Sequence, residues 1–114
     1  MKPPRITVQT EAVLAALLEE TGGELWGFEL SRRSGLAAGT IYPILQRLTA
    51  AGWVVHRWED HATAEAEGRP VRRYHRLTGE GRARAVHALE GTSARRAGLA
   101  RLLVPRPGAE GTRS

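Results

Sequence analysis

Residues 39–48 read GTIYPILQRL, and Ile41, Ile44, Leu45 and Leu48 recur at i, i+3, i+4 and i+7, the apolar stripe of one helix. Tyr42, Pro43, Gln46, Arg47 and Thr49 fall away from that stripe and give the opposite face a polar and aromatic character. Pro43 is out of place in a helix interior, where its missing N–H and its ring cost about 3 kcal/mol. In a first turn that cost disappears, because the N–H there has no helical partner to lose. With Thr40 as N-cap, the stretch predicts a short helix that starts abruptly after a turn and ends at Gly52.

Upstream, Val13, Leu14, Leu17 and Leu18 lie at helical spacing between about Val8 and Glu20, and Thr21-Gly22-Gly23 supplies the stop. The stretch GFELSRRS predicts a second helix, with Phe28 and Leu30 turned to the core, Arg32 and Arg33 outward, and Gly35 as a left-handed residue past its end. The turn GLAA leads from there into the quoted helix. Downstream, WVVHRW and RRYHRL are strand-like in their aromatic and β-branched content, and EDHATAEAEGRPV between them reads as a long hairpin loop. Thr78 then caps a last helix, TGEGRARAVHALE, with Glu80 near its N-terminal dipole. Gly91-Thr92-Ser93 breaks or kinks it, so one bent helix or two consecutive ones are expected beyond that point.

This order, three helices, two strands joined by an arginine-bearing loop, and a closing helix, is that of a mainly α winged helix-turn-helix with a small two-stranded β-wing. The boundaries it predicts are a flexible N-terminus at 1–5, a DNA-binding domain at 6–78, a C-terminal helical segment at 79–104 and a disordered tail at 105–114. A chain of 114 residues has room for one such domain. It has no cysteine, which excludes disulfides, thiolate zinc sites and cysteine nucleophiles. The longest apolar run, AVLAALL at 12–18, is far short of a membrane span, and the N-terminal residues lack a signal-peptide hydrophobic region. A cytoplasmic protein is therefore expected.

The net charge of +5 suggests an anionic partner. Lys2 is the only lysine, and the arginine, alanine and glycine bias of the chain discounts that total. The distribution says more: Arg69, Arg72, Arg73, Arg76, Arg82 and Arg84 share a short stretch in which Glu80 is the only acid. In a helix-turn-helix, the early polar side chains of the third helix reach base edges. Gln46 suits adenine and Arg47 guanine, while Thr40 and Tyr42 suit phosphates. Arg69, beside Gly68 and Pro70 at the wing tip, suits a minor groove or a line of phosphates, and Arg72 and Arg73 add charge on the same hairpin. The alternative for each is bland: Tyr42 packed on the wing, Arg47 paired with Glu29, a solvated hairpin. His56, His61, His75 and His87 lack metal-ligand spacing, although His56 and His75 can meet across the hairpin, so neither a metal nor a cofactor is expected. No nucleophile elbow, phosphate loop or glycine fingerprint suggests an enzyme. Trp26, Trp53 and Trp58 read as core or interface residues.

GTIYPILQRLTAAGWV and GRPVRRYHRLTGEGR together resemble the PadR family of bacterial transcriptional regulators, marked by a Gly-Thr-aliphatic-Tyr-Pro start to the recognition helix. The family's wing closes on a Gly-Arg-Pro turn and a Tyr-x-x-Leu-Thr-x-x-Gly-Arg segment, and LWGFEL is similar to its Gly-Tyr-Glu-Leu opening of the second helix. The likeness covers roughly residues 8 to 84. It implies that Thr40, Tyr42 and Pro43 stand at the DNA-facing start of the recognition helix and Arg69 in the wing. It also implies a homodimer formed through the terminal helices, with Leu14, Leu18, Val86 and Leu89 as subunit contacts, and a small aromatic effector, since some relatives accept phenolic or drug-like aromatics. Ala37 and Ala38 depart from the family, which often carries a serine cap there. The reading is a homodimeric repressor on a palindromic operator in double-stranded DNA. Its rivals are a winged-helix protein-protein interaction module and a small RNA-binding protein.

Overall fold

In the computed structural model, which describes residues 4–103, helix α1 (Val8–Glu19) starts at Thr7, whose hydroxyl accepts a hydrogen bond from the Thr10 N–H at 3.1 Å. A two-residue strand, β1 (Leu25–Trp26), leads directly into α2 (Gly27–Ser34), whose first turn is held by Glu29 accepting from the Trp26 N–H at 3.3 Å. Gly35 ends α2 in the left-handed region at φ 76°, as its position in the sequence predicts. Then come α3 (Ala38–Ala50), β2 (Val54–Trp58), α4 (His61–Ala66), β3 (Arg73–Leu77) and α5 (Gly79–Leu103). The strands form one antiparallel sheet in the order β1-β3-β2, with Leu25 opposite His75 and His56 opposite His75 on the other side.

One core joins these elements. Val13, Leu14 and Leu17 of α1, Leu30 of α2, and Ile41, Ile44, Leu45 and Leu48 of α3 meet Leu25, Val54 and Leu77 of the sheet and Ala85 of α5. All four apolar positions of the quoted stretch are buried. Helix α3 ends as two backbone bonds close over its last turn, from the Trp53 N–H to the Leu48 carbonyl at 2.9 Å and from Gly52 to Thr49 at 3.0 Å. Thr78 accepts from the Gly81 N–H at 2.9 Å and caps α5 as expected, while its own N–H donates to the Trp53 carbonyl at 2.9 Å. Gly81 leaves no room for a side chain, since a Cβ there would lie 1.9 Å from the Trp53 carbonyl oxygen.

Several sequence expectations are corrected. The cap of α3 is Ala37, not Thr40, and it makes no side-chain hydrogen bond. Pro43 therefore falls in the second turn, three residues past Thr40, the last position whose N–H has no i−4 partner. Its missing N–H leaves the Gly39 carbonyl without its i+4 donor, and Gly39 is exposed, so water can take that place. The sheet has three strands rather than two, because Leu25–Trp26 adds to β3. The loop between the wing strands holds α4, built from alanine and glutamate, which favour helix, and anchored by buried Ala64. Phe28 is not in the core but 62% exposed, tilted against Trp26 with ring centroids 5.5 Å apart. Of the two alternatives expected beyond Gly91, one helix or two, the single helix forms, and α5 runs through that residue. The segment 105–114, expected to be a disordered tail, lies outside the described residues.

Three helices, a hairpin flanking the third, and a closing helix make a winged helix-turn-helix. Among the described residues no helix is long and apolar enough to cross a membrane, and no group of three or more His, Cys, Asp or Glu is placed to hold a metal ion.

Candidate nucleic-acid interface

Burial of Ile41, Ile44, Leu45 and Leu48 turns the rest of α3 outward. Tyr42, Pro43, Gln46 and Arg47 are exposed and Thr40 is half-buried. The helical spacing divides them into two flanks. Tyr42, Gln46 and Thr49 share the flank beside the wing and β1, and Thr40, Pro43 and Arg47 share the other. Among the described residues Arg47 makes no ion pair, and the expected alternative of a bond to Glu29 does not form; Glu29 instead closes the first turn of α2. Tyr42 is 42% exposed, and its hydroxyl lies over the α carbon of Gly27, where a Cβ would come within 2.3 Å of the oxygen. Gly27 thus lets the hydroxyl end of the Tyr42 ring approach the start of α2, a role that sequence reasoning missed.

The wing is held together by its own charges. Arg69, expected free at the tip, is 18% exposed and grips Glu59 with two bonds of 2.6 Å, from Nη1 to Oε1 and from Nη2 to Oε2. Its Nε donates to Glu67 at 2.9 Å. The Arg72 N–H also donates to Glu59 Oε1 at 3.2 Å, and the Glu59 N–H donates to the Arg72 carbonyl at 2.8 Å. Hydrogen bonding from Arg69, opposed by burial and aided by the Arg72 N–H, holds the Glu59 carboxyl down at about 2. Arg69 is correspondingly raised above the ordinary arginine value. Arg69 is therefore a staple of the wing loop in this structure, and Glu59, ten residues away in sequence, is the partner that no local motif announces.

The other wing arginines are also engaged to different degrees. Arg72 stacks on Trp26, its guanidinium carbon 3.9 Å from the ring centroid. Arg57 pairs with Glu24 through Nε at 3.0 Å and lies 4.9 Å over Tyr74. Arg73 has no acidic partner among the described residues and lies 5.3 Å from the ring of Trp58, which is 61% exposed. Trp53, by contrast, is in the core. His75 is buried opposite His56, with ring centroids 6.0 Å apart; burial first, then Arg73 and His56, lowers its pKa to about 4, so it is neutral near pH 7.

Of the residues expected at a subunit contact, Leu14 is fully buried in the core of its own chain and is unavailable. Leu18 is partly buried against that core, Leu89 lies half-buried in a groove between α1 and α5, and Val86 is 42% exposed. The groove, about 360 Å³, is lined by Val8, Glu11, Ala12, Ala15, Leu89 and Arg96 among others. Beyond Thr92, the last buried residue of α5, Leu99, Leu102 and Leu103 are 56, 83 and 74% exposed.

The family model described as "Transcriptional regulator PadR-like family" matches residues 13–87. Among solved structures, a PadR family transcription regulator from Clostridium difficile R20291 is similar in fold, with a TM-score of 0.71 and 16% identity over 86% of this chain and 100% of that one. A PadR-like transcriptional regulator from Bacillus cereus ATCC 14579 gives 0.69 and 20% identity, over 87% of this chain and 94% of the other. NadR in complex with 4-hydroxyphenylacetate gives 0.63 and 24% identity over 87% of this chain, which spans 64% of NadR. No curated protein matches.

Proposed function

The chain belongs to the PadR-like family of transcriptional regulators, which bind DNA, and from that premise we propose that it is a homodimeric repressor occupying a two-fold symmetric operator. The observation that carries this reading is the division of α3, whose apolar stripe is wholly buried while Tyr42, Gln46 and Arg47 stand exposed. Gln46 and Arg47 each have the chemistry for about 1 to 3 kcal/mol of base discrimination. Thr40 and Tyr42 hold phosphates at the helix start, with Pro43 beside Thr40 on its flank, and Arg72 and Arg73 contribute from the wing. Arg69 serves the wing from inside, through Glu59.

Two such helices about one helical turn apart would meet successive half-sites of the major groove. The bare apolar end of α5 and the α1–α5 groove support pairing of two copies, with Leu18, Val86 and Leu89 in the contact. The same groove is the place for a small aromatic effector. A DNA partner and a double copy fit a cytoplasmic protein.

The test is affinity for duplex DNA from upstream of the chain's own coding sequence, as a function of salt, against an unrelated duplex of equal length. A steep salt slope with at least about a thousandfold preference is expected. Equal, weak binding to both would move the protein-partner reading ahead.

A further inference from the structure

The hairpin register brings two of the four histidines together. His56 of β2 stands directly opposite His75 of β3, so strand alternation leaves both on one face of the sheet. That face closes a cleft of about 430 Å³, whose other wall is α3 with Gln46 and Thr49. The two imidazole centroids are 6.0 Å apart, with the ring planes inclined at 54°. Two imidazoles on one tetrahedral ion, each nitrogen about 2.0 to 2.1 Å from it, have centroids roughly 5 Å apart. A small turn of the exposed His56 side chain closes that difference, while His75, 2% exposed, is held by the packing around it. His75 carries a second signal. Its Nδ1 is buried without a hydrogen-bond partner, and an orphaned polar atom inside a fold is the mark of a site that a water or an ion completes.

We propose that His56 and His75 form a site for one late first-row divalent ion, of the class of zinc, nickel or copper, with the Gln46 side-chain carbonyl as a ligand from α3. Donor chemistry selects the class. Imidazole nitrogen suits these ions, whereas magnesium and calcium require oxygen ligands, and no carboxylate lines the cleft. Two imidazoles and an amide fall short of the four protein ligands that close a structural zinc site, so the ion is exchangeable and the fold does not depend on it. Arg73 lines the same cleft, with its guanidinium carbon 5.3 Å from the Trp58 ring centroid. Its charge lowers the affinity for a cation and favours an anion, such as chloride, in the remaining position of the ion.

The site stands apart from the DNA reading, but its effect rests on that reading. A Gln46 carbonyl drawn onto an ion is not free to read a base, so the ion and the operator compete for one side chain. The cleft then couples the supply of a metal ion to the choice of a DNA sequence.

The experiment is titration of the full chain with Zn²⁺ alone by calorimetry and with Cu²⁺ by electron paramagnetic resonance. Wild-type protein is expected to take up one Zn²⁺ per chain, and bound Cu²⁺ to couple to two imidazole nitrogens. His56→Ala, an exposed position whose change should leave the denaturation midpoint in place, is expected to bind Zn²⁺ at least about tenfold more weakly and to lose the two-imidazole signal. His87→Ala, on α5, should behave as wild type. No uptake by wild-type protein at millimolar Zn²⁺, or uptake unchanged in His56→Ala, overturns the site. On the upstream duplex, saturating Zn²⁺ should lower the sequence preference of wild-type protein about tenfold, the worth of one base contact, and leave that of His56→Ala unchanged. A preference that Zn²⁺ does not move overturns the competition for Gln46. If no duplex is preferred even without Zn²⁺, the DNA reading fails, and the calorimetry still decides the site.

Discussion

Helix α3 and the wing both carry basic side chains, and they hold them in opposite ways. Helix α3 is fixed from behind by four buried aliphatic residues, so Arg47 needs no polar partner to keep its place and has no ion pair among the described residues. The loop of the wing buries little apolar material beyond Ala64, and it is ordered by ion pairs and cation stacking instead. Charge used to build a loop is not charge offered to a ligand. The six-arginine cluster that stands out in the sequence thus overstates the basic surface of the wing, and a single arginine on α3 counts for more than its number suggests.

The largest effect should come from severing the joint through which both regions rest on the core. Gly81→Ala would drive a methyl into the Trp53 carbonyl, and a loss of about 3 kcal/mol in chemical denaturation is expected, at the upper end of overpacking costs. Next, Tyr42→Ala removes an exposed ring from α3. It should lower operator affinity by about tenfold or more while leaving the denaturation midpoint nearly unchanged, because the α3 stripe alone fixes the helix. A large drop in midpoint would instead make the Tyr42–Gly27 contact the main task of that ring.

Glu59→Gln tests the other half of the comparison. With the carboxylate gone, Arg69 is released and the loop loosens, so the salt slope should steepen by about 0.9 and the preference for the operator should fall. An unchanged slope would mean that Arg69 stays withheld without Glu59. The smallest effect is one of pH. His75 is lowered in the fold, so the unfolded chain binds more protons below about 6.5, and stability should decline as pH falls from there towards 4. Glu59 is lowered too, so its contribution is intact above 4.5 and is lost as pH falls towards 2. Thermal melts of His75→Leu should flatten the upper part of that profile only.

The three N-terminal helices, the two main strands and the cap at Thr78 were legible because each has a local cause in periodicity, β-branching or a hydroxyl at a helix start. What escaped depends on distance or brevity. Strand β1 is two residues long and shows no alternation. Helix α4 is a six-residue alanine-rich turn within a polar stretch. The cap at Ala37 has no side-chain signal, and α5 crosses Gly91 because one glycine costs a helix only about 1 kcal/mol. On α3, the exposed residues follow from their spacing, whereas the pairing of Arg69 does not, because Glu59 meets it only once the loop has folded. The Gly27 contact could have been suspected from a glycine opening a helix beside two aromatics, Trp26 and Phe28.

The bonds from Thr78 to the Trp53 carbonyl have a consequence for how this architecture can be altered. They bring the two ends of the segment 54–77 to one point, so the hairpin leaves and re-enters the core side by side, with Val54 and Leu77 as its buried roots. Chain inserted in the middle of such a segment adds only slowly to the closure entropy, about 0.6 kcal/mol for each doubling of length. The wing is in that sense an exchangeable cassette: hairpins of other lengths and tips can be grafted between these anchors, giving new reach along a nucleic acid with the helical body left as it is.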